Sequence, residues 1–334
     1  MTLVNKRILI FGGSGSLGNA LVTKYIQENN IYVYSRDECK HWNMALKYNS
    51  TKLNFIIGDI RNKNRVRETL IRVKPNIIII AAAIKHIDKC ENATSECIMT
   101  NINGTQNVVD CVEELQYTLQ GTVESICFIS TDKACSPVNI YGMSKACSES
   151  IMIEKALHLP QFKFITVRYG NVLNSRGSII PMLHEIGKSI TQPYFKLTDE
   201  RMTRFVMTLE QSVDLIEHAI IKGQSGDIVI PKLVSMNVKD LIELFSEKYN
   251  KTIKIVGIRP GEKILESLIN ETQAMKVIID NDKYNIIKPY YVTVIDNIEI
   301  KDYNSKINPL SKEQLRNYLN EYNLLNGHSE FLNN

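Results

Sequence analysis

Three glycines near the start of the chain, each three residues from the next, constrain the fold more than any other feature. Ile8–Phe11 is apolar throughout, and Gly12, Gly15 and Gly18 follow it directly, ahead of a helical pattern. A turn this tight needs residues without Cβ, and such a turn lets a phosphate approach the free N–H groups of a helix N-terminus. In this strand–turn–helix context, the glycines predict a dinucleotide-binding βα unit.

Strands and helices are expected to alternate through residue 170. The candidate strands are apolar runs at Ile8–Phe11, Ile31–Tyr34, Phe55–Asp59, Asn76–Ala83, Ile126–Ile129 and Phe164–Val167. Near-continuous Ile, Val and Phe runs are typical of parallel strands buried on both faces. Helical patterns, such as those at 66–73 and 101–115, separate these runs. We therefore expect an α/β fold with a Rossmann-like, doubly wound parallel sheet.

After residue 171 the elements shorten and prolines punctuate them, which indicates a second lobe. A helix at 208–219 and a strand at 227–230 are expected to return to the main sheet. We assign residues 1–171 and 204–232 to a cofactor domain. Residues 172–203 and 233–334 then form a smaller, discontinuous α/β substrate lobe with a C-terminal tail.

Charge and cysteine content restrict the class of protein. The net charge of the 334 residues is only +4, which is weak for a nucleic-acid binder. No apolar run approaches the length of about 18 residues that a membrane span needs. The seven cysteines form no C-x-x-C pair, and the histidines show no metal-binding spacing. We expect a cytoplasmic enzyme with reduced thiols, no metal, no nucleic-acid partner and no membrane insertion.

The tip of the second strand indicates which dinucleotide binds. An acidic residue there favours NAD by binding the ribose hydroxyls. Here Ser35, Arg36 and Lys40 can surround a 2′-phosphate, which favours NADP over NAD, although Asp37 could bind the ribose hydroxyls instead. Asp59 is placed to accept from the adenine amino group. The other residues assigned to the cofactor are Ser14, Ser16, Leu17, Ile60, Ala81, Ala82, Ala83, Lys85, Asn101 and Val172, with Tyr141 and Lys145.

Tyr141 and Lys145 lie four residues apart and should share one face of a helix. An ammonium beside the phenol would lower the pKa of the tyrosine towards working pH. The phenolate could then take a hydroxyl proton while a hydride leaves the same carbon. Thr131, at the end of the fifth strand, would hydrogen-bond the same oxygen.

These motifs resemble the extended short-chain dehydrogenase/reductase family, over nearly the whole chain. A closer resemblance, to the inverting UDP-N-acetylglucosamine 4,6-dehydratases, lies in Ser130-Thr131-Asp132-Lys133-Ala134. Further segments of the same resemblance are those at 34–37, 83–86, 168–172, 175–178, 201–205 and 259–263. The resemblance implies UDP-N-acetylglucosamine as substrate, NADP recycled in each turnover, and a homo-oligomer, either a dimer or a hexamer.

The resemblance also implies the division of labour at Asp132 and Lys133. Lys133, with its pKa lowered by burial, would remove the proton on carbon 5. Asp132, with its pKa raised, would protonate the departing carbon-6 hydroxyl. The residues assigned to the substrate are Lys85, Thr131, Asn171, Arg176, Gly177, Ser178, Thr198, Arg259 and Glu262.

Three alternatives remain open at this point. A retaining 4,6-dehydratase or a UDP-sugar 4-epimerase would use the same fold, although Lys133 after Asp132 argues against both. A non-catalytic NADP-binding regulator is disfavoured because Tyr141, Lys145, Asp132 and Lys133 are all present. His86 fits a packing role at least as well as a catalytic one.

Overall fold

A computed structural model describes residues 3–294 and 302–326. The strands are β1 Arg7–Phe11, β2 Asn30–Ser35, β3 Leu53–Ile57, β4 Ile77–Ile80, β5 Ser125–Ile129, β6 Lys163–Val167, β7 Asn171–Val172, β8 Tyr194–Leu197, β9 Thr203–Met207, β10 Ile228–Pro231, β11 Val234–Asn237, β12 Thr252–Ile255, β13 Ser267–Ile269, β14 Val277–Ile279, β15 Tyr284–Ile287, β16 Tyr303–Asn304 and β17 Pro309–Leu310.

The helices are α1 Ser16–Tyr25, α2 Glu38–Tyr48, α3 Lys63–Val73, α4 Ile87–Asn92, α5 Thr94–Cys97, α6 Gly104–Glu114, α7 Gln116–Leu119, α8 Ile140–His158, α9 Ile179–Lys188, α10 Leu209–Lys222, α11 Val238–Tyr249, α12 Glu271–Ala274 and α13 Lys312–Glu321. A π-helical turn at Ile98–Asn103 precedes α6, and a 3₁₀ turn at Asp132–Ala134 follows β5.

The main sheet confirms the predicted Rossmann-like architecture. Within the described residues it has nine strands in the order β14-β15-β10-β6-β5-β4-β1-β2-β3. The seven from β10 to β3 run parallel, whereas at one edge β15 pairs antiparallel with both β10 and β14. The chain order reverses between β1 and β4, and in doubly wound sheets ligands bind beyond the carboxyl ends of the strands at this point.

Each face of the main sheet carries its own hydrophobic core. On one face, α1 and α10 bury Leu21, Val22 and Ile216 against the strands. On the other face, α3, α6 and α8 bury side chains such as Val108 and Met152. Because helices cover both faces, the strand side chains are apolar on both, which explains the continuous apolar runs of β1 and β4.

The second lobe contains a smaller sheet, whose described strands lie in the order β17-β11-β9-β7. Its core includes Leu183 of α9, Phe195 of β8 and Phe245 of α11. No described helix is both long and apolar enough to cross a bilayer.

The structure differs from the predicted boundaries at several points. β9 belongs to the smaller sheet because it pairs with β7 and β11, whereas the sequence predicts residues 204–207 in the cofactor domain. β14 and β15 extend the main sheet from a region assigned to the second lobe. The fourth strand ends at Ile80, and the helix predicted at 101–115 starts as a π-turn. Residues 295–301 and 327–334 of the predicted lobe and tail lie outside the described residues.

Candidate active site

The glycine turn lies between the ends of β1 and β4. Gly12 has a φ of +80°, and a Cβ there would lie 2.7 Å from the Ala82 backbone. A Cβ on Gly18 would lie 1.9 Å from the Gly13 carbonyl, so this glycine lets α1 pack against the turn. Gly15 is exposed and begins α1 without a side-chain cap. The first N–H groups of α1 thus face an open cradle that suits an anionic phosphate.

The predicted 2′-phosphate residues lie at the end of β2, but not all have free donors. The Arg36 side chain is 61% exposed, with Nη1 3.6 Å from Asp59 Oδ2. Lys40 forms an ion pair with Asp37, which also caps α2 through the Lys40 N–H. Ser35 Oγ lies 2.7 Å from Nε2 of buried His41, a neighbour that sequence reasoning missed.

Asp59 is held by Arg61 rather than standing free for adenine. Its Oδ1 accepts from the Arg61 N–H at 2.9 Å, and its Oδ2 accepts from the guanidinium at 2.7 and 2.9 Å. Partial burial opposes ionisation, but these hydrogen bonds and the charges of Arg61 and Arg36 outweigh it and lower the pKa of Asp59. An adenine contact at this carboxylate therefore competes with Arg61.

Thr131, Asp132 and Lys133 form a compact group in the turn after β5. Asp132 is fully buried, and its Oδ1 accepts from Thr131 Oγ1 at 2.9 Å and from Lys133 Nζ at 3.0 Å. Lys133 Nζ also donates to Asn171 Oδ1 at 3.1 Å. Asp132 Oδ2 has no hydrogen-bond partner among the described residues. The predicted pair is therefore assembled at the carboxyl edge of the sheet.

The direction of the pKa shift agrees with the prediction for Asp132 but not for Lys133. Burial raises the pKa of the Asp132 carboxyl against the opposing charge of Lys133. Burial alone would lower the pKa of Lys133, but the charges of Asp132 and Glu266 outweigh it and raise that pKa. The condition set for Lys133 as a base, a pKa lowered by burial, is therefore not met, because two carboxylates lie close to the ammonium.

Tyr141 and Lys145 both lie on α8, but they do not form the expected phenolate–ammonium pair. Lys145 Nζ donates to the Ile129 carbonyl at 2.7 Å and lies 4.4 Å from the centre of the Phe128 ring. Burial lowers the pKa of Lys145 to about 8. Desolvation raises the pKa of Tyr141 to about 12, against smaller opposing effects of Lys133 and Thr131. The predicted lowering of the pKa of Tyr141 was wrong, because burial outweighs the effects of Lys133 and Thr131 that favour the phenolate.

Lys85, Arg176 and Ser16 connect the two lobes beside the glycine turn. Lys85 Nζ donates to the Arg176 carbonyl at 2.6 Å, and the Arg176 N–H donates to Ser16 Oγ at 2.9 Å. Gly177 has a φ of +69° and lies close to the ring of His86. The structure thus brings several predicted cofactor and substrate residues together, and it gives His86 a packing contact.

The Arg259–Glu262 loop joins the site through α8. Arg259 Nη2 donates to Glu262 Oε1 at 2.5 Å, and the arginine side chain is 71% exposed. Asn139, the N-cap of α8, donates from Nδ2 to the Gly261 carbonyl at 2.7 Å. This bond fixes the loop to the helix that carries Tyr141.

The remaining predicted residues have mixed surroundings. Asn101 is buried and uses its amide to join Ile84 to Ser144, which is a structural role. Ser178 Oγ donates to the Leu173 carbonyl at 2.6 Å ahead of α9. Ser14 and Ile60 are buried, whereas Leu17, Ala81, Ala83, Val172 and Thr198 are half-buried.

Sequence reasoning missed a buried ionic network beside the site. Arg168 is fully buried and forms a two-point ion pair with Glu149 of α8, at 3.0 and 2.5 Å. Ser130 Oγ donates to the same carboxylate at 2.5 Å. Glu266 lies 3.6 Å from Lys133. Because these partners are far apart along the chain, no local pattern could reveal them.

Across residues 3–294 and 302–326, no group of three or more His, Cys, Asp or Glu side chains could hold a metal ion.

Comparisons with known proteins agree with this geometry. Residues 8–289 match the family described as "Polysaccharide biosynthesis protein". A UDP-N-acetylglucosamine 4,6-dehydratase (inverting) of Campylobacter jejuni is 36% identical over 314 residues, which cover 92% of this chain and 89% of that protein. A UDP-glucose 4-epimerase of Rickettsia rickettsii is 36% identical over 296 residues, covering 85% and 83%.

A solved structure, Pen from Bacillus thuringiensis, superposes with a TM-score of 0.87 at 29% identity, covering 97% of this chain and 99% of that one. The chain therefore belongs to the polysaccharide biosynthesis protein family, among the extended short-chain dehydrogenases/reductases, where its relatives are nucleotide-sugar 4,6-dehydratases and 4-epimerases.

Proposed function

We propose that this protein is an NADP-dependent UDP-N-acetylglucosamine 4,6-dehydratase that inverts carbon 5. The observation that carries the proposal is the Asp132–Lys133 pair, 3.0 Å apart beside Thr131 and on the sheet edge that bears Asn171. An epimerase needs only to move a hydride at carbon 4. A dehydratase must also take a proton from carbon 5 and protonate a departing hydroxyl, and this pair supplies both groups.

The cradle at the start of α1 fits a pyrophosphate, and Arg36 fits a 2′-phosphate because its guanidinium is exposed. Bound there, NADP supplies a hydride acceptor and donor that is restored in each turnover. Lys145 has N–H donors besides the one that bonds the Ile129 carbonyl, and these can bind the nicotinamide ribose.

The reaction begins when Tyr141 takes the proton of the carbon-4 hydroxyl as that carbon becomes a ketone. Since its pKa is raised to about 12, Tyr141 needs a nearby cation once the ligands are in place. Lys133 is the cation whose charge already opposes that rise, and Lys145 lies one turn further along α8.

The ketone acidifies the proton on carbon 5, and Lys133 removes it. Because the pKa of Lys133 is raised, this side chain must first lose its own proton. Asp132 Oδ1, 3.0 Å away, accepts that proton, and burial favours the protonated carboxyl. The transfer leaves a neutral amine and a carboxylic acid, which are the base and the acid that the elimination requires. Asp132 then protonates the carbon-6 hydroxyl, which leaves as water. Return of the hydride to carbon 6 and addition of a proton to carbon 5 from the opposite face would then give the inverted 4-keto-6-deoxy sugar.

Arg259 and Arg176 are placed to hold the diphosphate of the substrate, since both lie on loops that border the site. Glu262 can accept from sugar hydroxyls. We also propose a cytoplasmic homo-oligomer, a dimer or a hexamer, which sedimentation of the purified protein would test.

The test is to incubate the purified protein with UDP-N-acetylglucosamine in deuterated water and to follow the sugar by NMR. We expect a 4-keto-6-deoxy product with inverted configuration and deuterium at carbon 5. Retention at carbon 5 would identify a retaining dehydratase instead. A sugar that keeps its carbon-6 hydroxyl and changes only at carbon 4 would identify an epimerase, the alternative that the Rickettsia relative suggests.

A further inference from the structure

A second carboxylate reaches Lys133 from a distant part of the chain. Glu266 immediately precedes β13, and its side chain is 3% exposed, with Oε1 3.6 Å from Lys133 Nζ. Its backbone is fixed on both sides by Ser305, which accepts from the Glu266 N–H at 3.0 Å and donates to the Glu266 carbonyl at 2.8 Å. The position of the carboxylate is therefore determined by the sheet pairing of β13 and β16.

The other oxygen of Glu266 meets a second lysine. Lys263 Nζ lies 3.1 Å from Glu266 Oε2 and donates at 2.9 Å to the carbonyl of Cys135, which directly follows the Asp132–Ala134 turn. Asp132, Lys133, Lys263 and Glu266 form what we call the turn cluster. It carries two positive and two negative side chains with little exposure to solvent.

We infer that Glu266 is a positioning residue for the Asp132–Lys133 pair, one that holds the Lys133 ammonium in place and determines the pH range in which the pair can exchange its proton. This inference rests on the proposed function, because it assigns to Glu266 a role in the elimination that the pair would perform.

Lys133 and Glu266 each lie among several charged groups. Opposite charges within about 4–6 Å favour each other's charged forms, and burial strengthens the effect. The charged or titratable groups that act on Lys133 are Asp132, Glu266, Arg204 and Tyr141. Those that act on Glu266 are Lys133, Lys263 and Arg204.

The charge of Glu266 raises the pKa of both members of the pair. Burial opposes ionisation of Glu266 itself, but Lys133, Lys263 and Arg204 lower its pKa, so it is a carboxylate at neutral pH. Removal of this charge should therefore make the pair lose protons at lower pH. Removal of the Lys263 charge should have the opposite effect, because Glu266 would then act on Lys133 without a competing cation.

The experiment compares pH profiles of kcat for dehydration in the wild type, Glu266→Gln and Lys263→Gln. We expect the Glu266→Gln profile to move to lower pH by about one unit, and the Lys263→Gln profile to move to higher pH. A purely structural role for Glu266 would instead lower activity at every pH without moving the profile. Glu243→Gln removes a carboxylate of α11 that pairs with Lys312 of α13, away from the turn cluster, and should keep the wild-type profile.

A measurement without turnover separates failure of the inference from failure of the proposed function. The titration of Lys133 Nζ can be followed by ¹⁵N NMR and assigned by its loss in Lys133→Arg. We expect its midpoint to fall in Glu266→Gln and to rise in Lys263→Gln. If Glu266→Gln does not fold, the expected rise of the Lys133 midpoint in Lys263→Gln still tests the inference. Midpoints equal to that of the wild type, or shifts in the same direction in both variants, would overturn the inference, whichever product the wild type makes.

Discussion

Lys145 donates a 2.7 Å hydrogen bond to the backbone carbonyl of Ile129, and so joins the helix that carries Tyr141 to the end of the strand that carries the Asp132–Lys133 turn. Lys145 is 3% exposed, and its ammonium lies over the Phe128 ring. Burial of this ammonium destabilises the folded protein, because a charged group in an apolar region loses hydration that one hydrogen bond only partly replaces.

Lys145→Met should therefore stabilise the nucleotide-free protein at neutral pH while abolishing turnover. The pKa of Lys145 is lowered to about 8 from 10.5, so the unfolded chain holds the proton more tightly than the folded one. The full free-energy cost of burying charged Lys145 is present below pH 8, and it disappears as the pH rises through 10.5. We expect a gain of up to about 3 kcal/mol at pH 7 that vanishes near pH 10.5.

Urea unfolding at pH 7 and pH 10.5 measures this difference. Lys188→Met removes an exposed lysine at the end of α9 and should show no such pH-dependent gain. Equal effects of Lys145→Met at both pH values would show that the lysine is not destabilised by burial.

Lys133→Ala should abolish dehydration while UDP-N-acetylglucosamine still binds. General acid–base groups contribute about 10²–10⁴-fold to rate, so kcat should fall by at least about 10²-fold. The kcat of Asp132→Asn should fall by a similar factor, because an amide cannot pass a proton to the carbon-6 hydroxyl. Product NMR gives the rate and calorimetry gives the affinity. Normal turnover in Lys133→Ala would refute its assignment as the base.

Arg36→Ala should weaken NADP binding more than Lys40→Ala does. Arg36 is exposed and unshared except for the 3.6 Å approach to Asp59, whereas Lys40 is already paired with Asp37. A hydrogen bond to a charged group contributes about 1.5–3 kcal/mol, so the Kd for NADP should rise by at least about tenfold in Arg36→Ala. NAD is the matched control ligand, and its Kd should not change. Equal losses for both nucleotides would contradict a 2′-phosphate site.

Gly15→Ala should impair NADP binding, whereas Gly18→Ala should destabilise the fold. A Cβ on Gly18 would overlap the Gly13 carbonyl at 1.9 Å, so we expect destabilisation of at least about 2 kcal/mol. On Gly15 the nearest atom would be 3.4 Å away, so the fold should persist, but the methyl group would obstruct the phosphate. Thermal melts and NADP titrations distinguish the two. Tight NADP binding by Gly15→Ala would exclude the α1 N-terminus as the phosphate site.

Most of the cofactor half could be predicted from local patterns. The period of the apolar residues places the strands, and the spacing of Gly12, Gly15 and Gly18 places the turn, because both depend on neighbours in the sequence. The boundaries were less predictable. β9 and β15 are short strands, and which sheet they join depends on distant partners that no local pattern indicates.

The same distinction between local sequence and tertiary packing applies to the chemistry of the site. The sequence alone determined the βα unit and which side chains are available for acid–base work, since the adjacency of Asp132 and Lys133 and the spacing of Tyr141 and Lys145 are properties of the chain itself. Only the tertiary structure decided how those groups are charged. Glu266 raises the pKa of Lys133 from 133 residues away in the chain, and the burial of Lys145 lowers its pKa. Protonation depends on through-space charge and loss of water, and both exist only once distant segments have packed.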